Sequence, residues 1–208
     1  MRFEQPIDSI DQLRAILGEP SDLVIRKDIG ILDAHARAFL ERSPFVLVGT
    51  AGLDGRCDVS PRGGPPGGVC VLDEMTLALP EWPGNRRADT LGNILANPRV
   101  GLLFLAPGVD ETLRVNGRAR IVQDDWLRDR LANAGRRPRL AIIVEAEEVF
   151  FHCAKAFRRS RLWDPAAQID RRALPSLAKI LTDQLQIEDC PLDELEARVE
   201  RGYQTTLY

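Results

Sequence analysis

Residues 7–42 set their apolar positions at helical spacing, and from Phe45 the spacing becomes that of β-strands. Ser9 is a cap for a helix through Leu13, Ile16 and Leu17, which Gly18-Glu19-Pro20 stops. Leu32, Ala36, Phe39 and Leu40 predict a second, continuing helix up to Ser43-Pro44, with His35 as a surface or half-buried helix residue. Residues 45–50 and 56–60 then read as a hairpin turned by Gly52-Leu53-Asp54-Gly55. Residues 61–68 are a loop by composition, and 69–72 with 76–79 form another hairpin across Asp73-Glu74. A short helix capped near Asp89-Thr90 ends at Asn97-Pro98, and strands follow at 100–105, 113–123 and 140–151. Further helices are predicted over 124–135, 174–187 and 192–199. Short β-runs joined by hairpin turns predict a mainly β protein, an antiparallel sheet closed into a barrel with flanking helices at both ends of the chain. The corresponding boundaries are 1–44 for an N-terminal helical extension, 45–165 for the barrel and 166–208 for a C-terminal helical extension, one structural domain overall.

Composition narrows the function classes. A chain of 208 residues can bury a proper core. Its net charge of −3 argues against a general nucleic-acid binder, whose domain is strongly basic. Nowhere do ~18 apolar residues run together as a membrane helix needs. The N-terminal stretch carries acids where a signal peptide needs basic and then apolar residues, so a cytoplasmic protein is expected. Cys57, Cys70, Cys153 and Cys190 are scattered without a CxxC pair and read as reduced thiols. With only His35 and His152, no metal-ligand spacing is visible.

The chemistry that remains is anion binding. Arg86 and Arg87 follow a Pro-Gly turn and stand at a helix start, where free backbone N–H groups and guanidiniums suit a phosphate. Arg62 lies after an early strand, and Lys155, Arg158, Arg159 and Arg161 form a third basic cluster beside Trp163. No nucleophilic triad can be assembled. His152 and Cys153 are neighbours on a strand and point to opposite faces, so Cys153 is read as structural. Anion sites without reactive side chains fit an enzyme whose cofactor carries the reaction.

The phrases DVSPRG, PGNRRADTLGNILANP, VGLLFL, ETLRVNGRA and HCAKAFRRSRLW together resemble the pyridoxamine 5'-phosphate oxidase-like FMN-binding split-barrel family, in the group of probable FMN-dependent enzymes. The likeness covers about Phe45 to Trp163. It implies a split barrel that binds FMN and acts as an oxidoreductase on a small molecule. By the same likeness Arg62, Arg86 and Arg87 bind the FMN phosphate, Val59 and Ser60 lie along the isoalloxazine edge, and Asn85 and Thr90 lie nearby. Thr112, two residues before the RVxG strand motif, corresponds to a flavin contact. A homodimer with FMN at the subunit interface is implied too, and Lys155, Arg158, Arg159 and Trp163 are candidates for a cover reaching over the flavin from the second subunit. Two features depart from the pyridoxamine phosphate oxidases themselves. Their tyrosine- and arginine-rich substrate segment is replaced by DDWLRDRLANAGRRPRL, and RGYQTTLY stands in place of their terminal arginine–x–histidine pair. The likeness therefore does not extend to vitamin B6 oxidation. The alternative class is a non-catalytic flavin- or haem-binding split barrel, with His152 as the histidine available to an iron.

Overall fold

The computed structural model describes residues 4–208. Helices α1 (Ile10–Leu17), α2 (Asp22–Arg26) and α3 (Ala34–Leu40) lead into strands β1 (Phe45–Ala51) and β2 (Cys57–Gly63). Then come β3 (Cys70–Val71), β4 (Thr76–Glu81), α4 (Asp89–Ala96), β5 (Arg99–Leu105), β6 (Thr112–Val122), α5 (Asp125–Arg130) and β7 (Leu140–His152). Three helices, α6 (Lys155–Ser160), α7 (Leu177–Leu185) and α8 (Leu192–Thr205), follow the last strand.

The expected Ser9 cap is present, its hydroxyl accepting from the Gln12 amide, and Gly18 ends α1 with a φ of 76°. The second helix, expected through Leu32, Ala36, Phe39 and Leu40, is α3, and it starts only after Leu32. Gly30 turns the chain at a φ of 67°, and Asp33 starts α3 by accepting from the Ala36 amide at 2.8 Å. β2 runs three residues past the expected end at Ser60. Pro61 fits because β2 is an edge strand and needs no outward amide there. α5 is shorter than expected, ending before Leu131, and α8 is longer, reaching Thr205.

The strands form one seven-stranded sheet in the order β2-β1-β5-β6-β7-β4-β3, every pair antiparallel. The backbone ladder ends at β2 and β3, so hydrogen bonding does not close the sheet among the described residues. The sheet is nevertheless curled. Val46 of β1, Phe104 of β5, Leu113 of β6, Val144 of β7 and Leu79 of β4 share one buried cluster, which Ala36 and Leu40 of α3 cover. Side chains span the gap that the ladder leaves: Arg62 on β2 pairs with Glu81 at the end of β4, Nε to Oε2, at 2.9 Å.

The β6–β7 register shifts between Asn116 and Gly117, leaving Glu147 as an extra residue on β7. The chain before α3 seals this bulge. The Val149 amide donates to the Asp28 carboxylate at 2.9 Å, and the Ile29 amide donates to the Val149 carbonyl at 3.3 Å. Among the described residues no helix is long and apolar enough to cross a membrane.

Candidate functional site

Strand periodicity makes the edge of β2 a polar wall. Asp58, Ser60 and Arg62 alternate with exposed Cys57, Val59, Pro61 and Gly63, so the three polar side chains share the partly covered face. Residues 81–90 run alongside this edge, tied at both ends. At one end Arg62 holds Glu81. At the other, buried Thr90 donates its hydroxyl to Asp58 at 2.7 Å, and Ser60 donates to the same carboxylate at 2.9 Å. Between the two ties sits the Asn85–Arg87 turn.

That turn is conformationally unusual. Arg86 has a φ of 63° and Ala88 a φ of 59°, both in the left-handed region that non-glycine residues avoid. Two such residues in a three-residue span mark a backbone held in place by its surroundings. The Asn85 side chain fixes the turn by accepting from the Arg87 amide at 3.0 Å. Ala88 is the N-cap of α4 and offers no side-chain acceptor to the amides of the first turn. Arg86 has no carboxylate partner among the described residues, while Arg87 pairs through Nε with Asp89 at 2.8 Å. Asp89 and, further off, Asp58 hold the Arg87 guanidinium firmly in its charged form. A guanidinium carries five N–H donors, so Arg87 and Arg62 keep donors to spare beyond these carboxylates. Uncapped helix amides with two adjacent guanidiniums fit a phosphate group.

Beyond Arg62 the gap between β2 and β4 opens into a cavity of about 460 Å³, within the usual size of a small-molecule site. Its walls include Phe104, Trp82, Cys70, Arg130 and the glycine-rich 63–68 loop. Burial pushes the Cys70 thiol up, against the opposing pull of the Arg130 guanidinium. The Trp82 indole N–H is buried without an acceptor among the described residues.

The sequence profile of the pyridoxamine 5'-phosphate oxidase family matches residues 32–153, more than half of the chain. The chain belongs to this family. No curated protein matches it in sequence. It is similar to the solved structure of HupZ from Group A Streptococcus, with 17% identity over 57% of this chain and 92% of that one and a TM-score of 0.48. General Stress Protein 26 from Bacillus anthracis shows 15% identity over 55% and 88%, with a TM-score of 0.43. HutZ, the haem storage protein of Vibrio cholerae, shows 13% identity over 58% and 93%, with a TM-score of 0.41.

In this family member Val59, Ser60, Arg62, Asn85, Arg86, Arg87 and Thr90 lie along one strand edge. Thr112 is elsewhere, buried at the start of β6 opposite His152. Lys155, Arg158, Arg159 and Trp163 belong to α6 and its exit, a segment tied to the β5–β6 loop of its own chain through Arg158 and Trp163. The Trp163 indole donates to the Val109 carbonyl at 2.9 Å, and Arg158 pairs with Asp110 at 3.2 Å. Sequence reasoning passed over Asp58, Glu81, Trp82 and Arg130. Asp58 was findable, because two residues on a strand return to the same face and Ser60 was already a candidate. The other three become neighbours of Arg62 only through the curl of the sheet.

The two thiols differ in chemistry. Cys153 is exposed just ahead of α6, and the Lys155 amide lowers its thiol below the usual range, helped by the Lys155 and Lys27 charges. Cys153 is thus not packed into structure, and it should react first. Iodoacetamide at neutral pH should label Cys153 faster than Cys70, whose thiol is raised by burial. Peptide mapping of a time course checks this; Cys70 labelled as fast as Cys153 would refute the ordering.

His152 titrates low. Burial lowers its pKa from 6.5, and the nearby Arg114 and Lys27 charges add to this. The unfolded chain takes up this proton near pH 6.5, the folded one only at lower pH, so unfolding binds a proton in that window. The stabilisation is complete above that range and is lost as pH falls through it. His152→Gln should flatten the acid side of the stability profile below about pH 6.5. Urea unfolding at several pH values measures it, and parallel wild-type and variant profiles would discard the assignment.

Proposed function

We propose that this protein is an FMN-dependent oxidoreductase, a cytoplasmic homodimer built on a split barrel, with a small anionic substrate held between Arg62 and Arg130. The observation that carries this reading is the tied strand edge: Arg86 and Arg87 stand at an uncapped helix start beside β2, and Arg62 stands at the other end of the same edge. Arg86, Arg87 and the first amides of α4 would hold the FMN phosphate, with Arg62 at the far end of the groove. Ser60 and Thr90 already donate to Asp58, which keeps both hydroxyl oxygens oriented as acceptors for a ribityl chain. Asn85 lines the remaining edge, whereas Val59 alternates with Ser60 to the other face of β2 and Thr112 lies apart at the start of β6.

FMN, when bound, supplies hydride and electron transfer, which none of these side chains can perform. The chain's own share is to orient and desolvate. The cavity beside Arg62 offers Phe104 and Trp82 as apolar walls and Arg130 as a cation for a substrate anion. Lys155, Arg158, Arg159 and Trp163 enter the proposal as groups that one subunit presents towards the flavin of the other. Within one chain Arg158 and Trp163 are tied to the β5–β6 loop, which presets the surface they share with Lys155 and Arg159 on and after α6.

The haem alternative has less support. His152 Nε2 is buried and has two cations, Lys27 and Arg114, for neighbours, which disfavours an iron there. The absorption spectrum of the purified protein tests the reading. Flavin bands, with FMN released on denaturation, support it, and a Soret band or a colourless protein that ignores added FMN would overturn it.

A further inference from the structure

Burial along the chain changes abruptly at residue 32. Every Ile, Leu and Val from Ile7 to Ile31 is exposed, Leu17 at 70% and Leu23 at 79%, whereas Leu32 is completely buried. The family match also starts at residue 32, so this apolar arm lies outside what the family shares. Ile10, Leu13 and Leu17 form one stripe on α1, and no residue of α1 or α2 is buried. Before Lys27 no hydrogen bond ties the arm to the rest of the protein: among the described residues, 4–26 hydrogen-bond only to one another and to Lys27. Lys27 then anchors it, donating from Nζ to the Phe151 carbonyl at 2.9 Å.

An amphipathic segment of this kind needs a cover. Its charges disfavour a lipid surface: Asp8, Asp11, Glu19, Asp22 and Asp28 outnumber Arg14, Arg26 and Lys27, where interfacial helices carry an excess of bases. Its size suits a protein interface. A standard interface takes roughly 20–30 residues from each side, and residues 7–31 are a segment of that length. Its charge order suits a second copy of itself. Acids stand at the start of α1 and Arg14 near its end, where within the chain it makes only an exposed 3.5 Å pair with Glu19, so an antiparallel crossing near Leu13 brings each Arg14 within a turn of the partner's Asp11.

We propose that residues 7–31 are a dimerisation arm, with α1 and α2 of one protomer packed against the same helices of its partner about a two-fold axis. Such a contact is isologous, the common form in homodimers. It is independent of which cofactor the protein binds.

Leu13→Glu/Leu17→Glu tests it in the full chain, with Leu23→Glu on α2 as a second variant. All three side chains are exposed, so circular dichroism and thermal unfolding at low concentration should match wild type. Sedimentation equilibrium over a dilution series should show the dimer dissociation constant raised about a hundredfold or more in the double variant. Unchanged constants in both variants, or a wild-type monomer at high micromolar concentration, would overturn the arm. So would co-sedimentation of wild type with phosphatidylcholine–phosphatidylglycerol vesicles that the variants lose. Bound flavin is measured in the same samples. Flavin retained by a dissociated variant leaves the cofactor reading standing, and flavin absent from a wild-type dimer sinks that reading alone.

Discussion

Gly117→Ala should destabilise the protein by about 3 kcal/mol or more, at the upper end of what overpacking costs. A Cβ at this position would run into the Glu145 carbonyl oxygen and lie 3.1 Å from the Ala146 Cα, both backbone atoms of β7. A flexible side chain could swing away, but here the obstacle is the strand that β6 pairs with. Relief requires β6 and β7 to separate where the bulge at Glu147 already interrupts their ladder. These are the two longest strands of the sheet, and they carry buried Val115, Ala119, Val144 and Ala146. In a protein of this length the loss corresponds to about 6–12 °C in melting temperature. Gly92→Ala is the matched control. Its Cβ meets nothing within 4 Å on α4, so it should be neutral or stabilise by about 0.5–1 kcal/mol. Thermal and urea unfolding of both variants decide it, and a Gly117→Ala protein as stable as wild type would mean that the bulge is not packed this way.

The contrast between these glycines shows what was legible in the sequence. The change of period at Phe45, the Gly52–Gly55 turn and the Asn97-Pro98 stop are local signals, and the elements they predict are present. Strand partners are not local. Nothing in residues 76–81 says that β4 pairs with β7 rather than extending a meander, and nothing in 45–51 says that β1 lies beside β5. The bulge follows from the pairing, so the constraint on Gly117 appears only with the register. The site divides in the same way. Arg86 and Arg87 were marked by their place before a helix cap, a local signal. Glu81 meets Arg62, and Arg130 joins it on the wall of one cavity, across the gap between β2 and β4, which exists only because the sheet curls and stops pairing there.

Removing the paired guanidiniums should nearly abolish FMN binding. Arg86→Ala and Arg87→Ala should each weaken it about tenfold to a hundredfold, the usual loss for one charge-assisted contact. The two are not equivalent. Arg87 is held by Asp89, so its loss also leaves that carboxylate unneutralised beside the helix start, where it repels the incoming phosphate. Arg86 has no such partner, and its left-handed backbone shapes the turn. Arg86→Gly therefore separates charge from shape: glycine keeps the positive φ without strain, and whatever affinity it recovers over Arg86→Ala is owed to the backbone. The double variant Arg86→Ala/Arg87→Ala should lose more than either single change. The two residues are adjacent, so the losses need not add. Arg62→Ala gives a different signature. It strands Glu81, at 19% side-chain exposure, without its cation, so stability should fall together with flavin affinity, whereas Arg86→Ala should leave stability near wild type. Fluorescence titration of apoprotein with FMN, run beside thermal unfolding of the same samples, reads both quantities. Wild-type FMN affinity in the Arg86/Arg87 double variant would remove the α4 turn from the phosphate site.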